Sequence, residues 1–227
     1  MLQRVLEPEV MDTPEEASDY DAMDHGEVNR VFVTDLIAAM RPTDAVSGAL
    51  KLSILDLGAG TAQIPIELCR RMETANVVAV DAAAAMLAVA RRNVERAGLD
   101  RRIRLELADA KRLPFADGEF AAAISNSIVH HIPEPRSVLA EAVRTTARGG
   151  LLFIRDLLRP DDRETLDRLV ETYAAGANEH QRRMFAESLH AALSLDEIRS
   201  LVAELGFARD TVTQTTDRHW TWTARRA

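Results

Sequence analysis

From Leu52 to Asp156 the chain alternates short apolar runs with segments whose apolar residues recur every three or four positions. "KLSILDL", "NVVAVD", "RIRLELAD", "FAAAISNS" and "GGLLFIRD" are aliphatic and β-branched with little polar alternation, the pattern of strands buried on both faces. Between them, helix-period segments run from about Ala62 to Met72, through "AAAAMLAVARRNVERAG" to a stop near Gly98, and from about Glu134 to Arg148. This alternation predicts an α/β fold, a Rossmann-like, doubly wound, mostly parallel sheet in the order 3-2-1-4-5 with right-handed crossovers. After Pro160 the period changes, and two amphipathic helices, about Asp162 to Ala175 and Glu179 to Leu193, read as a helical insertion after strand five that covers a substrate. A third helix starts at the capping box "SLDE" and stops at Gly206. The tail "FARDTVTQTTDRHWTWTARR" predicts a closing antiparallel hairpin that completes a seven-stranded sheet, with Trp220 and Trp222 packed on one face.

The first 30 residues differ from the rest. No Lys or Arg lies between Arg4 and Arg30, while acids are dense. Residues 1–30 are therefore read as an appended acidic segment, a lid or a partly disordered tail, and residues 31–227 as one domain. Tyr20 and His25 lie on a stretch too acidic to be core, so both are expected to face a ligand cleft.

Composition narrows the partners. The 227 residues carry a formal net charge of −8, which repels a phosphate backbone. The local basic run "RRNVERAGLDRRIR" has no interleaved aromatics for base stacking and reads as a solvated helix face. A small-molecule substrate is expected rather than nucleic acid. The single cysteine, Cys69, sits inside a helical pattern and reads as a small core residue in a reducing compartment. With no signal-peptide pattern and no apolar run near the roughly 20 residues of a membrane span, a cytoplasmic location is expected.

The stretch "SILDLGAGTAQIPIELCRR" puts glycines between a buried strand and a helix, where a ligand approaches the backbone. It lacks the Lys of a phosphate-binding loop, and Gln63 stands where a dinucleotide fold has its third glycine. Asp56 lies in the strand itself, Asp81 ends the second strand and Asp109 the third. Three carboxylates at successive strand ends suit a cationic nucleoside, and S-adenosylmethionine has that shape and charge.

At these residues the chain resembles the class I S-adenosylmethionine-dependent methyltransferases. "ILDLGAGTA" is similar to their glycine-rich first motif, with Ala62 where a third glycine is common, and "VVAVDAAAAML" is similar to their second. "LADAKRLPFADGEFAAAISNSIVHHIPEP" resembles the third and fourth together. The resemblance covers about Leu52 to Asp156 and implies transfer of a methyl group to a small-molecule acceptor by in-line displacement; the rival is a cofactor-binding regulator without chemistry. It implies cofactor contacts from Asp56, Gly58, Ala59, Gly60, Asp81, Ala82, Met86, Asp109, Ala110 and Asn126. "SDYDAMDH" is similar to the entry helix of ubiquinone and menaquinone C-methyltransferases, which implies a lid, although "SNSIVHHI" departs from that subgroup.

The catalytic candidates are His130 and His131, which either include a base or cap the next helix, together with Tyr20 and His25. Arg155 and Asp156 end the fifth strand and either meet substrate or pair with each other. His180, Arg182 and Arg183 border a substrate pocket or form a solvated face. No metal site is expected, because no i,i+4 His pair or CxxC spacing links the histidine pair to His180 or His190.

Overall fold

Each apolar run becomes a strand: β1 (Leu52–Leu57), β2 (Ala75–Asp81), β3 (Ile103–Leu107), β4 (Phe120–Asn126) and β5 (Thr146–Leu157). The structure is a computed structural model that describes residues 2–7, 12–23, 25–40 and 52–227. Met1, residues 8–11 and Asp24 of the expected lid fall outside the described residues. β1 pairs in parallel with β2 and β4, and β2 with β3. The tail forms β6 (Val212–Gln214) and β7 (His219–Arg225), which pair antiparallel. The seven-stranded sheet has the order β3-β2-β1-β4-β5-β7-β6, with the predicted 3-2-1-4-5 order and closing hairpin and with β7 next to β5, a placement the sequence did not specify.

The helices follow the sequence punctuation closely. α1 (Pro14–Ala22) and α2 (Gly26–Ala39) precede β1; α3 (Gln63–Arg71), α4 (Ala84–Ala97) and α5 (Pro135–Thr145) lie between strands; α6 (Arg163–Tyr173), α7 (Glu179–Ala191) and α8 (Leu195–Glu204) follow β5. α4 stops at Gly98, whose φ of 67° is the left-handed cap expected there. The Ser194–Glu197 capping box is present at α8. α5 ends at Thr145 rather than Arg148, because the Thr145 and Thr146 hydroxyls donate back to the Glu141 and Ala142 carbonyls and β5 begins at once. α2 is an element the sequence reading leaves unassigned; its buried Asn29, Phe32, Val33 and Leu36 follow helical spacing. Among the described residues no helix is long and apolar enough to cross a membrane.

The chain divides into two compact units. The larger comprises residues 10–126, 137–154 and 223–227. Its core is built on Ile54, Val77, Ala79, Ala122 and Ile124 of the parallel strands, with Phe32 and Leu36 of α2 and Leu68 and Cys69 of α3. Phe32 meets Phe153 edge to face at 5.2 Å. Cys69 is thus a core residue, as its pattern predicts. The smaller unit comprises residues 1–9, 127–136 and 155–222. Leu157 packs there with Leu166, Leu169 and Val170 of α6 and Leu189 of α7, and Leu2 joins from the N-terminus. Trp220 and Trp222 are fully buried, the latter edge-on to Phe207 at 5.1 Å.

Gly150, in β5, has no room for a side chain. A Cβ there would lie 2.7 Å from the Ala121 carbonyl oxygen and 2.8 Å from that of Ala147, and neither backbone group can swing aside. Gly150→Ala is expected to lower the unfolding free energy by about 1–3 kcal/mol, the usual cost of overpacking a core. Urea denaturation monitored by circular dichroism checks this, and an unchanged midpoint refutes it.

Candidate functional site

The turn after β1 is set by backbone conformation. Gly58, Gly60 and Ala62 all have positive φ, of 69°, 53° and 63°. Ala62 occupies a left-handed conformation that costs an L-residue about 1–2 kcal/mol, which explains why the motif it resembles often has glycine there. The amides of Gly58 and Ala59 both donate to the Val80 carbonyl at 2.9 Å, drawing the turn over the end of β2. A Cβ on Gly60 would meet the Tyr20 ring edge at 3.6 Å.

Register places the polar strand ends together. Leu57 pairs with Val80 on one side and Ser125 on the other, so Asp81 and Asn126 each lie one residue beyond that line. Asp81 accepts the Gly60 amide on Oδ2 at 2.8 Å and the Ala83 amide on Oδ1 at 2.9 Å. Asp56 is 2% exposed and its Oδ2 has no hydrogen-bond partner. Burial, and then the charge of Asp81, push its pKa well above the usual carboxylate range. Asn126 Oδ1 and the buried Thr61 hydroxyl likewise lack partners. Ala110 is buried, whereas Asp109 is exposed, with its carboxylate on the Lys111 amide at 2.9 Å and the Lys111 ammonium at 3.2 Å.

Met86 is buried in a small cluster with Ala17, Ala83 and Val89, against which Tyr20 packs. Its observed neighbours are thus α1 and its own helix. Ala82 is exposed at the turn after β2. Tyr20 stacks at 4.9 Å on His25, and its phenol is pushed up to about 12 by burial and by the charges of Asp81, Asp56 and Asp21.

Within the acidic segment, residues 14–22 form the helix α1. Thr13 and Glu16 form a capping box with Pro14 in the first turn of α1, a signal present in "TPEE" that the sequence reading did not use. Asp12 accepts the Ala85 amide at the start of α4 at 2.8 Å, and Asp21 accepts from Asn93 at 2.8 Å and from Gln63 at 3.2 Å. Gln63, which replaces the third glycine of a dinucleotide loop, also accepts from Asn29 of α2 at 3.1 Å. It ties two N-terminal helices to the glycine turn.

The smaller unit holds the histidines. His130 and His131 lie on a one-turn 3-10 helix, Val129–His131. Asp156 Oδ1 lies 2.5 Å from His130 Nδ1 and accepts the Leu157 amide, while Oδ2 accepts the amides of Val129 and His130. Burial opposes a charge on either partner, yet their mutual attraction and hydrogen bonds prevail, raising the His130 pKa and lowering that of Asp156. Arg155 directs its Nε–H to Thr221 at 2.9 Å, so the two neighbours in sequence serve different partners. Glu7, which no sequence signal singled out, brings Oε1 to 3.3 Å from His130 Nε2 and 3.0 Å from His131 Nδ1. His180 instead lies exposed beside Arg183 at 3.4 Å, on the solvated face that was the alternative reading.

Comparison with known proteins identifies the family. Residues 54–150 match the family described as "Methyltransferase domain". The chain is 31% identical over 204 residues to the 27-O-demethylrifamycin SV methyltransferase of Amycolatopsis mediterranei, covering 83% of this chain and 68% of that protein. It is 30% identical over 186 residues to the demethylmenaquinone methyltransferase of Thermus thermophilus, covering 78% and 84%. A SAM dependent methyltransferase from Aquifex aeolicus shares the fold, with a TM-score of 0.68 at 15% identity over 96% of this chain and all of that one. The chain thus belongs to the class I S-adenosylmethionine-dependent methyltransferases.

Proposed function

We propose that the enzyme transfers the methyl group of S-adenosylmethionine to a small-molecule nucleophile by in-line displacement. The observation that carries the cofactor side is Asp56: a buried carboxylate oxygen without a hydrogen bond, beside a glycine turn, suits a ligand bearing a cation. When bound, S-adenosylmethionine supplies a methyl group already activated on a sulfonium centre. The chain's own contribution is to bind, align and exclude water. In this reading Asp56 faces the ammonium group, Gly58, Ala59 and Gly60 admit the methionine portion, and Asp81, which also accepts two turn amides, meets the ribose hydroxyls. Asp109 and Ala110 meet the adenine, and Asn126 lies toward the sulfonium.

Tyr20, with a pKa near 12, holds its proton at neutral pH and serves as a wall or hydrogen-bond donor rather than as a base. The acceptor class is supported by the net charge of −8, which disfavours polyanions, and by relatives whose names specify low-molecular-weight acceptors.

Three outcomes test this reading. The raised Asp56 pKa means that a cationic cofactor must displace a proton whenever the pH lies below it. Affinity is therefore expected to fall as pH is lowered through the free-enzyme value, by up to tenfold per pH unit. Calorimetry across pH measures this, Asp56→Asn should flatten the profile, and an equally steep profile in that variant refutes the role.

With methyl-labelled cofactor and cell extract, label should enter the ultrafiltrable fraction. Label confined to protein or nucleic acid ends the small-molecule reading. Residues 1–30 are proposed to act as a lid, because Asp12 and Asp21 dock α1 through polar contacts that can reform. Protease nicking of this segment is expected to slow when S-adenosylhomocysteine is added, and equal rates in both states make it a static part of the fold.

A further inference from the structure

We infer that Glu7, His130 and His131 form a site for one divalent transition-metal ion of the Zn²⁺ or Fe²⁺ type. His130 Nε2, His131 Nδ1 and Glu7 Oε1 all lie within 4.8 Å of one another. The carboxylate oxygen is 3.3 Å from the first nitrogen and 3.0 Å from the second. An ion bound at about 2.0–2.2 Å from each donor sets neighbouring ligands of a tetrahedron roughly 3.3 Å apart, close to this spacing.

Neither Glu7 Oε1 nor His131 Nδ1 makes a hydrogen bond, although both are buried. The two face each other at 3.0 Å as a charge pair, and a cation between them satisfies both. The other Glu7 oxygen accepts the Ser188 hydroxyl at 3.1 Å, which orients the carboxylate. Asp156 occupies His130 Nδ1 at 2.5 Å and so directs Nε2 forward, the carboxylate–histidine arrangement that commonly supports a metal ligand. Arg4 fixes the segment that carries Glu7, donating to the carbonyls of Ala191 at 2.7 Å and His130 at 3.1 Å.

The donor set selects the ion. Two imidazoles and one carboxylate suit a borderline first-row metal, whereas Mg²⁺ and Ca²⁺ prefer all-oxygen shells. Three protein ligands leave a position for water or a ligand oxygen. The site lay beyond sequence spacing because its third donor comes from the N-terminal segment.

The test uses the full chain, stripped with a chelator and titrated with Co²⁺ in the absence of cofactor and acceptor. Metal uptake is read by visible absorption and by metal content after desalting, so its outcome is independent of methyl transfer. One Co²⁺ per chain is expected, displaced by Zn²⁺ and unaffected by Mg²⁺. Glu7→Gln and His131→Asn should each weaken Co²⁺ binding at least tenfold, and Asp156→Asn by about 10–100-fold. Retained S-adenosylhomocysteine binding verifies that each variant folds. A native chain that takes up no Co²⁺, or folded Glu7 and His131 variants that bind it as tightly as the native chain, overturn the site and leave a plain ion-pair cluster.

Discussion

Because a buried amide without a partner costs about 1–3 kcal/mol, the two tight turns that follow β1 and β2 need acceptors, and Asp81 supplies one to each. Its two oxygens hold the Gly60 and Ala83 amides, so a single side chain fixes the glycine turn against the start of α4. The Val80 carbonyl completes the arrangement by accepting from Gly58 and Ala59. With the turn fixed, Asp56 is left buried next to Asp81, and two carboxylates in a poorly solvated space cannot both ionise cheaply. The larger unit therefore holds two carboxylates that compete for charge, and Asp56 gives way by holding its proton more tightly.

The same turn also organises the N-terminus. Gln63 and Asn93 both bond Asp21, and Gln63 bonds Asn29, so α1 and α2 are anchored where the glycine turn enters α3. These contacts are polar and partly exposed, each contributing about 0.5–1.5 kcal/mol. Among the described residues, apolar contact between α1 and α4 centres on a small cluster around Ala17 and Met86. By contrast α2 sends Phe32, Val33 and Leu36 into the main core. One helix is thus held by groups that water can replace, the other by buried surface that it cannot.

In the smaller unit Asp156 plays the organising part. It gathers the amides of Val129, His130 and Leu157 and the His130 ring, fixing the 3-10 turn that presents both histidines. Such a buried carboxylate is tolerable only with this many donors, which explains why its pKa falls despite burial. Arg4 meets the carbonyls of His130 and Ile132 at that turn, and Glu7 lies against the rings.

Strands, helices and the sheet order were legible along the chain because they rest on local periodicity and on rules of connection. The continuous apolar runs of β1 to β5, the glycine stops at Gly98 and Gly206 and the Ser194 cap are signals within a few residues of what they specify. Asp56 and Asp81 were legible as strand-end carboxylates for the same reason. α1 and α2 were legible too, in "TPEE" and in the spacing of Phe32, Val33 and Leu36, but acidity masked the first and isolation from the strand pattern the second. Pairings between distant residues left no such trace. Glu7 and His130, Asp21 and Asn93, or Tyr20 and Gly60 meet because packing brings remote backbone together, and no spacing rule encodes that. Burial is likewise a property of the folded chain; it raises the proton affinities of Asp56 and Tyr20, whereas His130 is raised against burial by Asp156, which the fold sets beside it.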